Sequence, residues 1–105
     1  DASTRALIRR LGRQAALQVR IAVNAFVDRD LVAAAALVDM DDAIDDLHDL
    51  LVRHALERPS NLVDEATLQR AVQLTLVARH FERAGDHAVT IAAFTRFVVT
   101  GTHAR

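Results

Sequence analysis

Asp41 and Asp45, inside LVDMDDAIDDLHD (37–49), and Glu82 and Asp86, inside FERAGDHAVTIAAFTRFVVTG (81–101), form two acidic couplets at i,i+4 spacing. On a helix that spacing puts both carboxylates of a couplet on one face, about 6 Å apart along the axis. Like charges so placed weaken an isolated helix. A cation would relieve them, so a sequence that repeats the pattern is a candidate cation site. Oxygen donors without any Cys favour hard or borderline cations: magnesium, calcium, manganese or iron. His48 and His87 lie beside the couplets and would move the preference toward zinc or iron. Asp45 and His48 stand at i,i+3, loosely like the Glu-x-x-His element of carboxylate-bridged dimetal bundles. Here that element occurs once, with Asp for Glu. From spacing alone, a solvated, mutually repelling helix face accounts for the Asp run equally well. His54, His80 and His103 read as ordinary surface or boundary positions.

These residues need helices to hold them, and the chain supplies three. Helix 1 is expected to start after Ser3 as N-cap and run to about Val27, with Leu7, Leu11, Leu17, Ile21 and Phe26 at roughly helical spacing. Asp28-Arg29-Asp30 makes a short turn, and Asp30 caps helix 2. Helix 2 runs to about Arg58 on a seam of Leu37, Met40, Ile44, Leu47 and Leu51. Pro59-Ser60-Asn61 breaks it. Helix 3 begins between Val63 and Gln69, with Asp64 and Glu65 suited to its positive end, and continues to about Thr100. Gly101 follows as a C′ residue. The seam of helix 3 is Leu74, Val77, Phe81, Ala84, Ala88, Ile91 and Val98. Short connections make consecutive helices antiparallel, so the expected fold is all-α: an up-down-up three-helix bundle forming one domain over residues 1–105.

In that bundle all four acids flank the seam. Depending on where helix 3 starts, the couplets stand level or are offset by about 4–8 Å. Gly85, inside the second couplet, costs about 1 kcal/mol relative to Ala in mid-helix, which points to a close helix approach or ligand access there.

Composition bounds the rest. With 105 residues, 51 % of them hydrophobic, the chain can bury a small core. The longest uncharged apolar run, Leu31–Val38, is far short of the ~20 residues a spanning helix needs. A net charge of −1 argues neither for nor against nucleic acid, and nothing in the pattern suggests a nucleic-acid partner. The absence of Cys excludes disulfides and thiolate metal sites and is compatible with a reducing compartment. Charge is segregated. Residues 1–20 carry Arg5, Arg9, Arg10, Arg13 and Arg20 against Asp1 alone, while residues 39–49 carry six Asp and no Arg. The plainer account is charge complementarity between helices 1 and 2 with solvated faces; the functional one is docking to an acidic partner or an anionic surface.

The two motifs together resemble the PhoU family of phosphate regulators. FERAGDHAVTIAAFTRFVVTG is similar to that family's closing motif, a Glu-Arg-x-Gly-Asp-His/Arg run followed by an apolar helix ending near Thr-Gly. LVDMDDAIDDLHDLLVRHAL resembles its preceding acidic helix, most like the actinobacterial branch. The resemblance covers roughly residues 10–101 and implies one three-helix repeat of a family that usually carries two, more like the second. It also implies multinuclear iron or zinc bound through Glu/Asp-x-x-x-Asp motifs, here Asp41, Asp45, Glu82 and Asp86, with Asp42 as an extra donor. Met40 stands where many members have an acid. The implied role is a cytoplasmic regulatory adaptor, not an enzyme. It would link the ATPase of a phosphate ABC transporter to a sensor histidine kinase and touch the membrane only through those partners. No Gly-rich phosphate loop is visible. Two other readings stand beside it: a carboxylate-bridged dimetal enzyme, which lacks a second Glu-x-x-His element and any Tyr or Trp to line a pocket, and a metal-free helical interaction module. An Ala-rich unit of this size is also expected to leave an apolar face for pairing with a second copy.

Overall fold

The computed structural model of the chain describes residues 2–56 and 65–101. These form three helices, α1 (Ala2–Asp28), α2 (Leu31–Leu56) and α3 (Glu65–Thr100), and each packs against both others. At 1.5 Å per residue the 36 residues of α3 span about 54 Å, which accounts for the long axis of a 57 × 22 × 17 Å rod.

The connection between α1 and α2 is a tight reversal written into three residues. The Arg29 N–H donates to the Phe26 carbonyl at 3.4 Å and the Asp30 N–H to the Ala25 carbonyl at 2.9 Å. That is the paired closure of a Schellman motif, with Arg29 in the left-handed position (φ 56°) usually filled by Gly. Two side-chain contacts offset the strain: the Arg29 guanidinium donates to the Phe26 carbonyl at 2.6 Å and lies 5.2 Å from the centre of the Phe26 ring. Asp30 then caps α2, its Oδ1 accepting the Ala33 N–H at 3.1 Å. At the far end of α3, Gly101 (φ 74°) donates its N–H to the Phe97 carbonyl at 2.7 Å, the expected C′ closure. Ser3, by contrast, is no cap, because α1 already begins at Ala2. The end of helix 2 at Arg58, the Pro59-Ser60-Asn61 break, Asp64 and His103 lie outside the described residues.

The core differs from the expected seams. On α1 the buried stripe is Leu11, Ala15, Gln18, Ala22 and Ala25, and on α3 it is Ala78, Gly85, Ala88, Ala92 and Thr95. Leu17, Phe26, Val77 and Val98, expected on those seams, are 38–49 % exposed. Small residues let three helices approach closely, and the larger side chains then fall outside the contact. On α2 the expected Leu37, Ile44 and Leu51 are fully buried, while Met40 and Leu47 pack only at the margin of the core. The core divides into two apolar layers. One is Ala22, Ala25, Ala34, Leu37, Ala88 and Ala92; the other is Leu11, Ala15, Ile44, Leu51 and Ala78. Gln18 and Gly85 sit between them, beside Asp41.

Candidate functional site

The acidic cluster occupies this middle layer, where α2 and α3 face each other across Gly85. A Cβ built on Gly85 would stand 2.7 Å from Ile44 Cδ1 and 3.0 Å from Asp41 Oδ1. The close approach expected of Gly85 is therefore real, and it brings the α3 backbone against the first couplet. Asp41 falls in line with the buried positions of α2, four residues after Leu37 and three before Ile44, so it enters the seam instead of flanking it through Met40.

Asp41, Asp45 and Glu82 are half-buried, and Asp86 is exposed. The couplets stand level, since Asp41 feels the charge of Asp86 and Glu82 that of Asp45. Burial, then the neighbouring Asp45, pushes the Asp41 carboxyl above its ordinary value. Asp86 and Asp42 add to this, and a hydrogen bond from Gln18 opposes it. The Glu82 carboxyl is also raised, first by burial; the nearby His48 opposes, and a hydrogen bond with Asp45 and the charges of Asp45 and Asp86 add. His48 stands between the helices, its Nε2 3.9 Å from Glu82 Oε1 and its Nδ1 3.6 Å from Asp49. Asp42 and His87 are exposed.

Gln18 is a member of the site that the spacing of acids did not reveal. It is fully buried, accepts from Gln14 Nε2 at 3.0 Å and donates from Nε2 to Asp41 Oδ1 at 3.5 Å. Its signal in the sequence is a polar residue at a position where the 11, 15, 18, 22, 25 stripe otherwise holds Leu and Ala. The helix 1 charge cluster, in contrast, makes no ion pair with the Asp run among the described residues, although Arg10 and Arg13 line one depression with Asp46. Arg5, Arg9, Arg10, Arg13 and Arg20 are exposed, and among the described residues none makes an ion pair.

The donor set is chemically suited to a hard cation: crowded, partly desolvated carboxylates whose mutual repulsion favours protonation would gain from a positive charge among them. The side chains as they stand are not closed around a point. Among the described residues, no group of three His, Asp or Glu side chains is arranged to hold one metal ion.

The model of the PhoU domain family matches residues 8–95, which takes in all three helices and both couplets. The chain belongs to the PhoU domain family. It is 37 % identical over 78 residues to the phosphate-specific transport system accessory protein PhoU homolog 1 of Methanothermobacter thermautotrophicus, covering 74 % of this chain and 35 % of that protein. It is 44 % identical to the protein of the same name from Mycobacterium tuberculosis, over 71 % of this chain and 32 % of that one. It is 35 % identical to the PhoU homolog of Deinococcus radiodurans, over 75 % and 36 %. The chain thus spans about a third of the length of these curated relatives. No solved structure matches it. The names of these PhoU relatives describe accessory proteins of a phosphate-specific transport system. Among the described residues no helix is long and apolar enough to cross a membrane.

Proposed function

We propose that this PhoU domain is a regulatory adaptor of phosphate uptake, which docks protein partners and carries a cation among Asp41, Asp45, Glu82 and Asp86. Its membership in a family of transport accessory proteins supports the regulatory role. The observation that carries the cation is the facing of the two couplets across Gly85, with Asp41 and Glu82 both raised by burial and by each other's partners. Iron, zinc, manganese and magnesium are the candidate ions for such donors. The ion would supply positive charge that draws the four side chains together and ties α2 to α3, so its binding would add to stability. The partners proposed for the docking role are the transporter ATPase and the sensor kinase of the phosphate response, with the protein acting in the cytoplasm.

The experiment is direct. Metal-stripped protein is titrated with iron(II), zinc, manganese and magnesium while bound metal and melting temperature are followed, in the wild type and in Asp45→Asn and Asp86→Asn. The wild type should gain several degrees and retain metal through dialysis, and both variants should lose that gain. Identical metal content and melting temperature in all three would refute the cation. Failure of the chain to capture either the ATPase or the kinase in pull-downs would refute the docking role.

A further inference from the structure

The Arg cluster of α1 remains without a role in the carboxylate site. On the face where α1 meets α2, two adjoining depressions of about 500 and 440 Å³ share Arg10 and Leu50. Together they run from Ser3 to Leu17 along α1, which is about 21 Å, or four turns of a helix laid alongside. The floor is apolar: Leu17 and Leu50 are 39 and 43 % exposed, and Leu47 lies between them. Arg10, Arg13 and Arg53 stand along it, and among the described residues none of the three makes an ion pair. A shallow, leucine-floored channel bordered by guanidinium groups that make no ion pair among the described residues matches a helix with leucines on one face and carboxylates beside them.

We infer that this α1–α2 channel is a docking groove for an acidic amphipathic helix of a partner protein, gripped by Arg10, Arg13 and Arg53 over Leu17, Leu47 and Leu50. Charge complementarity selects the occupant. An anionic lipid surface fits less well. The outward face of α2 beside the leucines carries exposed Asp39, Asp42, Asp46 and Asp49, which a flat anionic surface would meet and a narrow helix would largely avoid. Asp46 also lines the channel and would disfavour an acid placed opposite it, so the partner's carboxylates belong beside Arg10 and Arg13 on α1 and, in the depression that Asp46 does not line, beside Arg53 on α2. The inference deepens the docking part of the proposed function: capture of the ATPase or kinase without peptide binding would sink the groove and leave the adaptor standing.

The test uses a labelled helix-forming peptide of about four turns, with Leu on one face and Glu flanking it, read by fluorescence anisotropy. Its Lys-for-Glu counterpart and phosphatidylglycerol vesicles serve as rivals. The Glu peptide should bind and weaken with added salt, while the Lys peptide and the vesicles should not bind. Arg10→Glu/Arg13→Glu/Arg53→Glu should weaken the Glu peptide by roughly tenfold or more and gain the Lys peptide, with Arg79→Glu unchanged. No binding of the Glu peptide, binding that survives the triple substitution, or equal binding of either rival overturns the groove. Should the triple variant lose its helical circular dichroism, single Arg10→Gln and Arg53→Gln variants decide the matter: each should weaken the Glu peptide, and unchanged binding in both would overturn the proposal.

Discussion

Two glycines in this chain should answer the same substitution with opposite signs. Each gains up to about 1 kcal/mol of helix propensity as Ala. At Gly12 the new methyl would meet only the Phe81 ring, 3.4–3.9 Å away in ordinary contact, so Gly12→Ala should stabilise by a few tenths to 1 kcal/mol. At Gly85 it would stand 2.7 Å from Ile44 Cδ1 and 3.0 Å from Asp41 Oδ1, so the fully buried Ile44 side chain would have to shift. Overpacking of that kind costs about 1–3 kcal/mol, so Gly85→Ala should destabilise on balance. Urea unfolding of the two variants checks both signs. The acids at the same level set a pH response. Asp41 and Glu82 have carboxyl groups raised above their ordinary values, so over that interval the folded protein holds more protons than the unfolded one. Stability must then fall as pH rises from the ordinary carboxylate range through the raised values. Burial is the largest cause of both shifts; Asp45 and Asp86, with Asp42 at Asp41, add to it, and Gln18 at Asp41 and His48 at Glu82 moderate it. Metal-stripped protein should therefore melt lower at neutral pH than at mildly acidic pH. Asp41→Asn should flatten the difference, and an unchanged slope in that variant would count against the assignment.

At the scale of elements, the turn between α1 and α2 can be taken apart. Arg29→Ala removes the Phe26 contacts and keeps the left-handed backbone cost, so it should destabilise by about 1 kcal/mol. Arg29→Gly loses the contacts but relieves the backbone, and should lie above the Ala variant by about 1 kcal/mol in thermal or urea unfolding. Asp30→Ala should cost about 1 kcal/mol through the lost cap. This turn was legible in the sequence because Asp28-Arg29-Asp30 interrupts two apolar periodicities with capping residues. The seams of α1 and α3 were not. Large apolar side chains surround both helices, so choosing Leu17, Phe26, Val77 and Val98 by size pointed away from the contact. The informative residues were the small ones, Ala15, Ala22 and Ala25 against Ala78, Ala88 and Ala92. Gln18 was hidden for the same reason: it becomes conspicuous only once the alanines around it are recognised as the buried face. Gly85 was visible throughout, since a glycine in mid-helix requires an explanation.

Seen as one body, the rod carries its chemistry in separate zones. Phe94, Phe97, Val98 and Val99 near the end of α3, and Val27, Leu31 and Val32 near the first turn, are exposed apolar residues. So much apolar surface at one end is expected to find company. Sedimentation velocity of the chain should show a mass above 11.5 kDa that rises with concentration, and Phe94→Ser with Val32→Ser should lower it. The two apolar layers of the core impose a different demand. Alanine seams are nearly self-similar, so a helix that slid by two turns, about 10 Å, would still set alanine against alanine. What forbids the slide is the middle layer. Ile44 fits only where α3 has no side chain, and the Gln18 amide reaches an acceptor only where Asp41 stands. That layer acts as a notch in an otherwise smooth rail, and one carboxylate of the proposed cation site also keeps the three helices in step.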